Sequence, residues 1–209
     1  MLGLSQAAYI DKVLEWFSMQ NSKKGLLPFR HGVPLSDDQK PKTLEEENVM
    51  RQIPYASAVG SLMYAMLCTK PDICYLVGMV SRYQSNPGPK HWHAVKHILK
   101  YLRRIRNYML VYRCEDLIPI GYTDSDFQSN LDFGKSTSGC VFTLGGGAIS
   151  WRSVKQSCVT DSTMEAEYVV ACEAAKEAIW LKKFLYDLVV MRMEQVPITL
   201  FCDNSGAVA

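Results

Sequence analysis

Asp124, Glu167 and Asp203 are carboxylates placed where regular elements begin or end. Asp124 closes an apolar run through Ile118, Ile120 and Tyr122, and Asp203 closes another through Ile198, Leu200 and Cys202. Glu167 stands near the start of a long amphipathic pattern. Element ends are where side chains from distant parts of a chain can converge, and three converging carboxylates are hard oxygen donors of the kind that hold Mg²⁺. Asp126 shares strand parity with Asp124, so alternation does not choose between them. Asp203 has a second use open to it, because Asp203-Asn204-Ser205 also reads as a helix cap.

The elements that would position these acids can be read from spacing. Ala171, Ala174, Ala178, Leu181, Leu185 and Leu188 recur at intervals of three and four and form one helical stripe. Glu167 falls on that stripe and Glu165 does not. Glu165 instead completes a capping box with Ser162, while Glu173, Lys176, Glu177 and Lys183 mark the wet side. A carboxylate in register with an apolar stripe costs free energy unless it is paired or metal-bound. The same spacing also fits a place at the solvent rim of the stripe, near the helix N-terminus. The pattern predicts strands over about 117–125, 138–144, 148–157 and 197–202, a helix over about 163–190, and a turn at Gly145-Gly146-Gly147.

Upstream, the chain reads as mostly helical. A short helix is expected within residues 1–20, with Ser5 as cap and Tyr9, Ile10, Val13, Leu14 and Phe17 on its apolar side. Residues 21–43 read as a linker, and Thr43-Leu44-Glu45-Glu46 is a second capping box. An apolar helix over 54–69 is followed by a restart at Pro71 that runs to about Arg82. Asn86-Pro87-Gly88-Pro89 is a break, and a further helix places Trp92, Val95, Leu99 and Leu102 on one face.

Charge is lopsided there. No acidic residue lies between Ile73 and Cys114, whereas Arg82, Lys90, Lys96, Lys100, Arg103, Arg104, Arg106 and Arg113 all do. A basic stripe with Trp92, Tyr101 and Tyr108 nearby suits a phosphate backbone, and it is equally what an ordinary solvated helix face looks like. Lys96, Lys100, Arg103 and Arg104, with Arg152 and Lys155 further on, are the candidate nucleic-acid contacts. His91, His93 and His97 lack a fourth zinc ligand at suitable spacing.

The chain has 209 residues, enough for one or two domains, and its net charge of +2 names no partner. Seven cysteines without a C-x-x-C pair fit a reduced, intracellular setting better than a disulfide framework. Neither a signal peptide nor a membrane segment is expected.

Five stretches, in order, resemble one family. They are Gly121-Tyr122-Thr123-Asp124-Ser125-Asp126-Phe127, Lys135-Ser136-Thr137-Ser138-Gly139, Ile149-Ser150-Trp151, Met164-Glu165-Ala166-Glu167-Tyr168 and Cys202-Asp203-Asn204-Ser205-Gly206-Ala207. Together they look like the ribonuclease H domain of plant copia-type LTR retrotransposon Pol polyproteins. The stretches Pro54 to Tyr64 and Lys70-Pro71-Asp72-Ile73 resemble the segment that joins polymerase to ribonuclease H in the same family.

The resemblance implies an α/β fold, a ribonuclease H-like mixed sheet with a flanking helix, preceded by a mostly helical connecting region. The expected divisions are 1–53, 54–115 and 116–209. It further implies that Asp124, Glu167 and Asp203 hold two Mg²⁺ ions, with Mn²⁺ as a substitute, and that water attacks the RNA strand of an RNA–DNA hybrid. Asp124 is preferred over Asp126 by the motif, and Asp126 is expected in the turn. The remainder of the Pol polyprotein is an expected partner, and a cytoplasmic particle or the nucleus the expected place.

The chain also departs from the family pattern. No Tyr-x-Asp-Asp polymerase motif occurs. The family's fourth carboxylate and fifth strand are expected beyond Ala209. The alternative to a nuclease is a catalytically inactive nucleic-acid-binding remnant.

Overall fold

The computed structural model describes residues 1–29, 35–113, 117–190 and 197–208. Part of the expected linker (30–34) and the expected 115/116 boundary lie outside the described residues. In chain order the elements are β1 (Leu2–Leu4), α1 (Ala7–Trp16), α2 (Leu44–Arg51), α3 (Tyr55–Cys68), α4 (Cys74–Ser81), α5 (Pro89–Ile105), β2 (Leu110–Tyr112), β3 (Ile120–Asn130), β4 (Lys135–Leu144), β5 (Gly147–Lys155), α6 (Thr163–Asp187), β6 (Thr199–Cys202) and α7 (Ser205–Val208). They fall into two compact units, residues 4–109 and residues 1–3 with 110–209.

The helical unit has one core. Ile10, Val13 and Leu14 of α1 meet Val59 and Leu62 of α3, Val77 of α4 and Ile98, Leu99 and Leu102 of α5. The period-3.6 spacing of apolar residues puts each set on one helix face, and burying those faces together is what holds the helices. Polar ties fix their ends. The Lys70 ammonium is buried and donates to the carbonyls of Ile105 (3.1 Å) and Tyr108 (2.6 Å), closing the C-terminus of α5. Burial pushes its pKa down.

His91, one of the three histidines in the basic region, is fully buried. Its Nδ1 accepts from the Gly88 amide at 2.8 Å, so its proton belongs on Nε2, 3.1 Å from the Ser36 carbonyl. The ring stacks on Tyr83 at 4.1 Å. It pins the start of α5 to residues 36–39, and only glycine fits at position 88, where a Cβ would lie 1.7 Å from the Gln39 carbonyl oxygen.

The linker expected over 21–43 is partly docked. The Gly25 amide donates to the Lys100 carbonyl at 2.9 Å, beyond what composition alone revealed. The second capping box forms: Thr43 Oγ1 accepts from the Glu46 amide at 3.2 Å, while the Glu46 carboxylate takes the Lys42 amide at 2.8 Å.

The second unit is a mixed α/β structure. Its four-stranded sheet has the order β5-β4-β3-β6, with β3–β4 and β4–β5 antiparallel and β3–β6 parallel. Helix α6 packs on one face, where Phe142, Ala174, Ala178, Leu181 and Leu185 form the core. β1 and β2 make a separate two-stranded sheet. Residues 2–4 are therefore strand, not the start of a helix, and Gln6 rather than Ser5 occupies the N-cap position of α1.

Two other expectations shift. β3 runs on to Asn130, so Asp126 pairs with Thr137 within the ladder instead of sitting in a turn; the bend comes later, at the irregularity between Asp126 and Asn130 where Gln128 has φ 49°. On α6 the stripe includes Ala166 and Val170, while Leu188 lies past the helix and is exposed. The turn expected at 145–147 forms with Gly145 and Gly146 at positive φ. The six described cysteines are free, and no described helix is long and apolar enough to cross a membrane.

Candidate metal centre and basic face

Glu167 sits one turn into α6, on the buried stripe, and is only 5% exposed. The helix start is fixed by Ser162, whose Oγ accepts from the Glu165 amide at 3.1 Å; Glu165 reaches back to the Asp161 amide at 2.8 Å. That cap sets the rotation of α6 and turns Glu167 toward the sheet. There its Oε1 accepts from both the amide (2.9 Å) and the hydroxyl (2.7 Å) of Ser125 on β3. Its Oε2 faces the Cys202 thiol, which donates at 3.7 Å. Among the described residues no Lys, Arg or His forms an ion pair with it.

The parallel pairing of β3 and β6 brings the other acids near. The last registered pair is Thr123 with Cys202, so Asp124 is the next residue of β3 and Asp203 the first residue after β6. Donor atoms of Glu167, Cys202 and Asp203 lie within 4.8 Å of one another. Asp124 stands apart from that cluster. Strand alternation puts it with exposed Tyr122, on the side opposite Thr123 and Ser125. The helix cap that competed for Asp203 is made by Asn204, whose Oδ1 accepts from the amides of Gly206 (3.0 Å) and Ala207 (3.2 Å). Asp203 is left exposed and available.

A cation fits this arrangement. A buried carboxylate that has hydrogen bonds but no ion-pair partner among the described residues, beside a second carboxylate, is stabilised by a divalent ion. Spacing pointed to Glu167 and Asp203. It did not reveal Ser125, whose residue type gives no signal, nor Cys202. Alternation could have found Cys202, since it shares a face with Leu200, which packs against the α6 core.

The basic residues divide between the units. On α5, Lys96, Lys100 and Arg103 are half-buried and Arg104 is exposed, with Val95, Ile98, Leu99 and Leu102 on the opposite side. Lys96 lies over the Trp92 ring at 5.5 Å. Arg103 and Arg104 join Lys24, Arg106, Asp11, Leu14, Gln20 and Asn107 around a surface cavity of about 320 Å³. Arg106 is held by Asp11 at 2.7 Å. Lys24 was missed because its segment read as linker; docking of Gly25 on Lys100 brings it there.

Arg152 and Lys155 do not share a surface. They are three residues apart in a regular stretch of β5, hence on opposite faces. Arg152 shares a recess with Glu173 and Glu177, and Lys155 lies over the Phe133 ring at 4.6 Å.

The class defined by these features is a mixed α/β unit with an acidic cluster at the end of its parallel-paired strand β6, in one chain with a helical unit bearing a basic face. Known proteins narrow it. The chain is 49% identical over 207 residues to the retrovirus-related Pol polyprotein from transposon TNT 1-94 of Nicotiana tabacum, covering 99% of this chain and 15% of that protein. It is 32% identical over 207 residues to the corresponding polyprotein from transposon RE1 of Arabidopsis thaliana, covering 99% of this chain and 14% of that one. A third relative, secreted RxLR effector protein 161 of Plasmopara viticola, is 44% identical over 133 residues, 63% of this chain and 94% of its own length. The chain belongs to the copia-type, retrovirus-related Pol polyproteins of plant transposons. It spans about one seventh of the length of the two polyproteins it matches. No protein-family model and no solved structure matches it.

Proposed function

We propose that the α/β unit is ribonuclease H-like and, as part of a Pol polyprotein, hydrolyses the RNA strand of an RNA–DNA hybrid with Mg²⁺. One observation carries this reading: a buried carboxylate, Glu167, without a cationic partner among the described residues, next to Asp203 just past the end of β6, the strand that pairs in parallel with β3. Glu167 and Asp203 would hold the cation. Asp124, one step beyond the last β3–β6 pair, is assigned the third carboxylate by the motif it occupies and not by the cluster. Ser125 keeps Glu167 in place through two hydrogen bonds. When bound, divalent ions lower the pKa of an attacking water and stabilise the leaving oxygen. The RNA strand would be told from DNA by its 2′-hydroxyls and minor-groove shape. A Pol product of this kind would act in cytoplasmic particles and reach the nucleus.

The test is cleavage of an end-labelled RNA–DNA hybrid in Mg²⁺ and in Mn²⁺, beside Asp124→Asn. Cleavage by the wild type and its loss in the variant support the reading. Absence of cleavage by folded protein refutes it for this chain.

A second reading is supported by the cavity ringed by Lys24, Arg103, Arg104 and Arg106. Cations converging on a concave surface suit backbone phosphates whether or not the carboxylates act. It predicts salt-sensitive binding of the hybrid that survives Asp124→Asn.

A further inference from the structure

The cavity at the C-terminal end of α5 carries its own acid. Lys24, Arg103, Arg104 and Arg106 line it, and Asp11 of α1 is the one carboxylate among its described lining residues. We propose that Asp11 is a displaceable stand-in for phosphate: it holds Arg106 in the free protein and yields it to a backbone phosphate of a bound RNA–DNA hybrid. This role rests on the reading of the cavity as a phosphate site, and adds to it a built-in competitor that weakens the grip.

Three observations carry it. The contact is a single point: Arg106 Nη1 donates to Asp11 Oδ1 at 2.7 Å while Arg106 Nε donates to Asn107 Oδ1 at 3.2 Å, so the two-pronged arginine–carboxylate pairing does not form. The two side chains are 46% and 45% exposed, and an ion pair that wet is easily broken. The carboxylate is also fixed in place, because Asp11 stands between buried Ile10 and buried Leu14 on α1, in the core that includes α5. Four cations face this one acid, so the cavity attracts anions with Asp11 present.

A phosphate can take two guanidinium N–H groups in parallel and is backed by Lys24, Arg103 and Arg104, whereas Asp11 offers Arg106 one oxygen. Arg106 therefore passes from carboxylate to phosphate, and Asp11 turns to solvent. The exchange costs about two- to fivefold in affinity, the worth of an exposed ion pair. It also changes the count of ions. The phosphate releases a condensed cation as Arg106 reaches it, but the freed Asp11 recruits one, so this contact adds little to the salt dependence.

The experiment follows binding of a fluorescein-labelled RNA–DNA hybrid to the full chain by anisotropy across a salt series, in EDTA so that the strand is not cut. Asp11→Asn should tighten binding by about two- to fivefold and steepen the slope of log K against log salt by about one. The gain should vanish in an Arg106→Gln background, where there is no guanidinium to release. Glu15→Gln, on the exposed side of the same helix and outside the cavity lining, should leave the slope unchanged. Unchanged or weaker binding by Asp11→Asn, with thermal unfolding as in the wild type, would overturn the proposal. So would a gain that persists in the Arg106→Gln background, since Asp11 would then act as a bare charge. Arg104→Gln separates the two levels. If it does not weaken binding, the phosphate reading of the cavity falls and this role with it; if it does, an unresponsive Asp11→Asn refutes the role of Asp11 alone.

Discussion

Replacing Glu167 with Gln should make the metal-free protein more stable. The change keeps the shape of the side chain, and a Gln carbonyl can still accept from the Ser125 amide and hydroxyl. What changes is charge. Two charge-assisted hydrogen bonds become neutral ones, a loss of roughly 1–3 kcal/mol in total. Against this, a charge that is 5% exposed and lacks an ion-pair partner among the described residues no longer has to be desolvated, a relief of several kcal/mol. The new amide can also donate toward Asp203, which lies in the same cluster. The net expectation is a gain of about 1–2 kcal/mol, or a rise of about 4–10 °C in the Tm of a unit of this size. Differential scanning calorimetry of the full chain in EDTA measures it. Added Mg²⁺ should then stabilise the wild type, by about 2.7 kcal/mol at a hundredfold excess over Kd, and leave the variant unmoved. If Glu167→Gln is destabilised in EDTA, Glu167 is a structural acceptor that the fold needs charged, and the inference of a charge awaiting a cation fails.

Gly121→Ala should cost about 1–3 kcal/mol in urea unfolding, because the added Cβ would lie 2.4 Å from Leu200 Cδ2 and 2.6 Å from the Phe142 ring, and Phe142 is wholly buried in the α6 core. At alkaline pH, Tyr55 gives a clear sign. Burial raises its pKa above its ordinary value of 10.0, so above pH 10 the unfolded chain releases this proton and the folded one keeps it. Stability should therefore fall as pH rises past 10, with Tyr55 ionising only as helical circular dichroism is lost, and Tyr55→Phe should blunt the fall. Arg104→Gln should weaken binding of an RNA–DNA hybrid and lower the slope of log K against log salt by about one, read by fluorescence anisotropy; an unchanged slope would remove Arg104 from the phosphate contacts.

Periodicity made much of this architecture legible. The stripe from Ala174 to Leu185 placed α6 and put Glu167 in register with it without deciding between core and solvent rim, which the structure does by burying it, and the Ser162 cap fixed where that helix begins. The limits of β5 and β6 came out within two residues because apolar runs, turns and glycines mark them, whereas β3 ends five residues later and β4 begins three residues earlier than expected. What stayed hidden depends on pairing. Nothing local says that Ser125 will meet Glu167, that Cys202 will register with Thr123, or that Gly25 will dock on Lys100. Asp126 was misplaced because β3 outlasts its apolar pattern: beyond Tyr122 the strand is polar except for Phe127, yet β4 still pairs with it. Asn204 and Asp203 are both good caps by type, and only the fold shows which one is used.

The two hydrogen bonds from Ser125 also settle how Glu167 can coordinate. With Oε1 occupied by an amide and a hydroxyl, Oε2 is the oxygen left for an ion, so under the proposed function Glu167 would be a monodentate ligand. Large cations such as Ca²⁺ gather six to eight oxygens and often clasp a carboxylate by both. Small octahedral or tetrahedral ions take one oxygen from each. Under the proposed function a serine on a neighbouring strand would thus act as a size filter, tuning the carboxylate it restrains against calcium by denticity rather than by cavity volume.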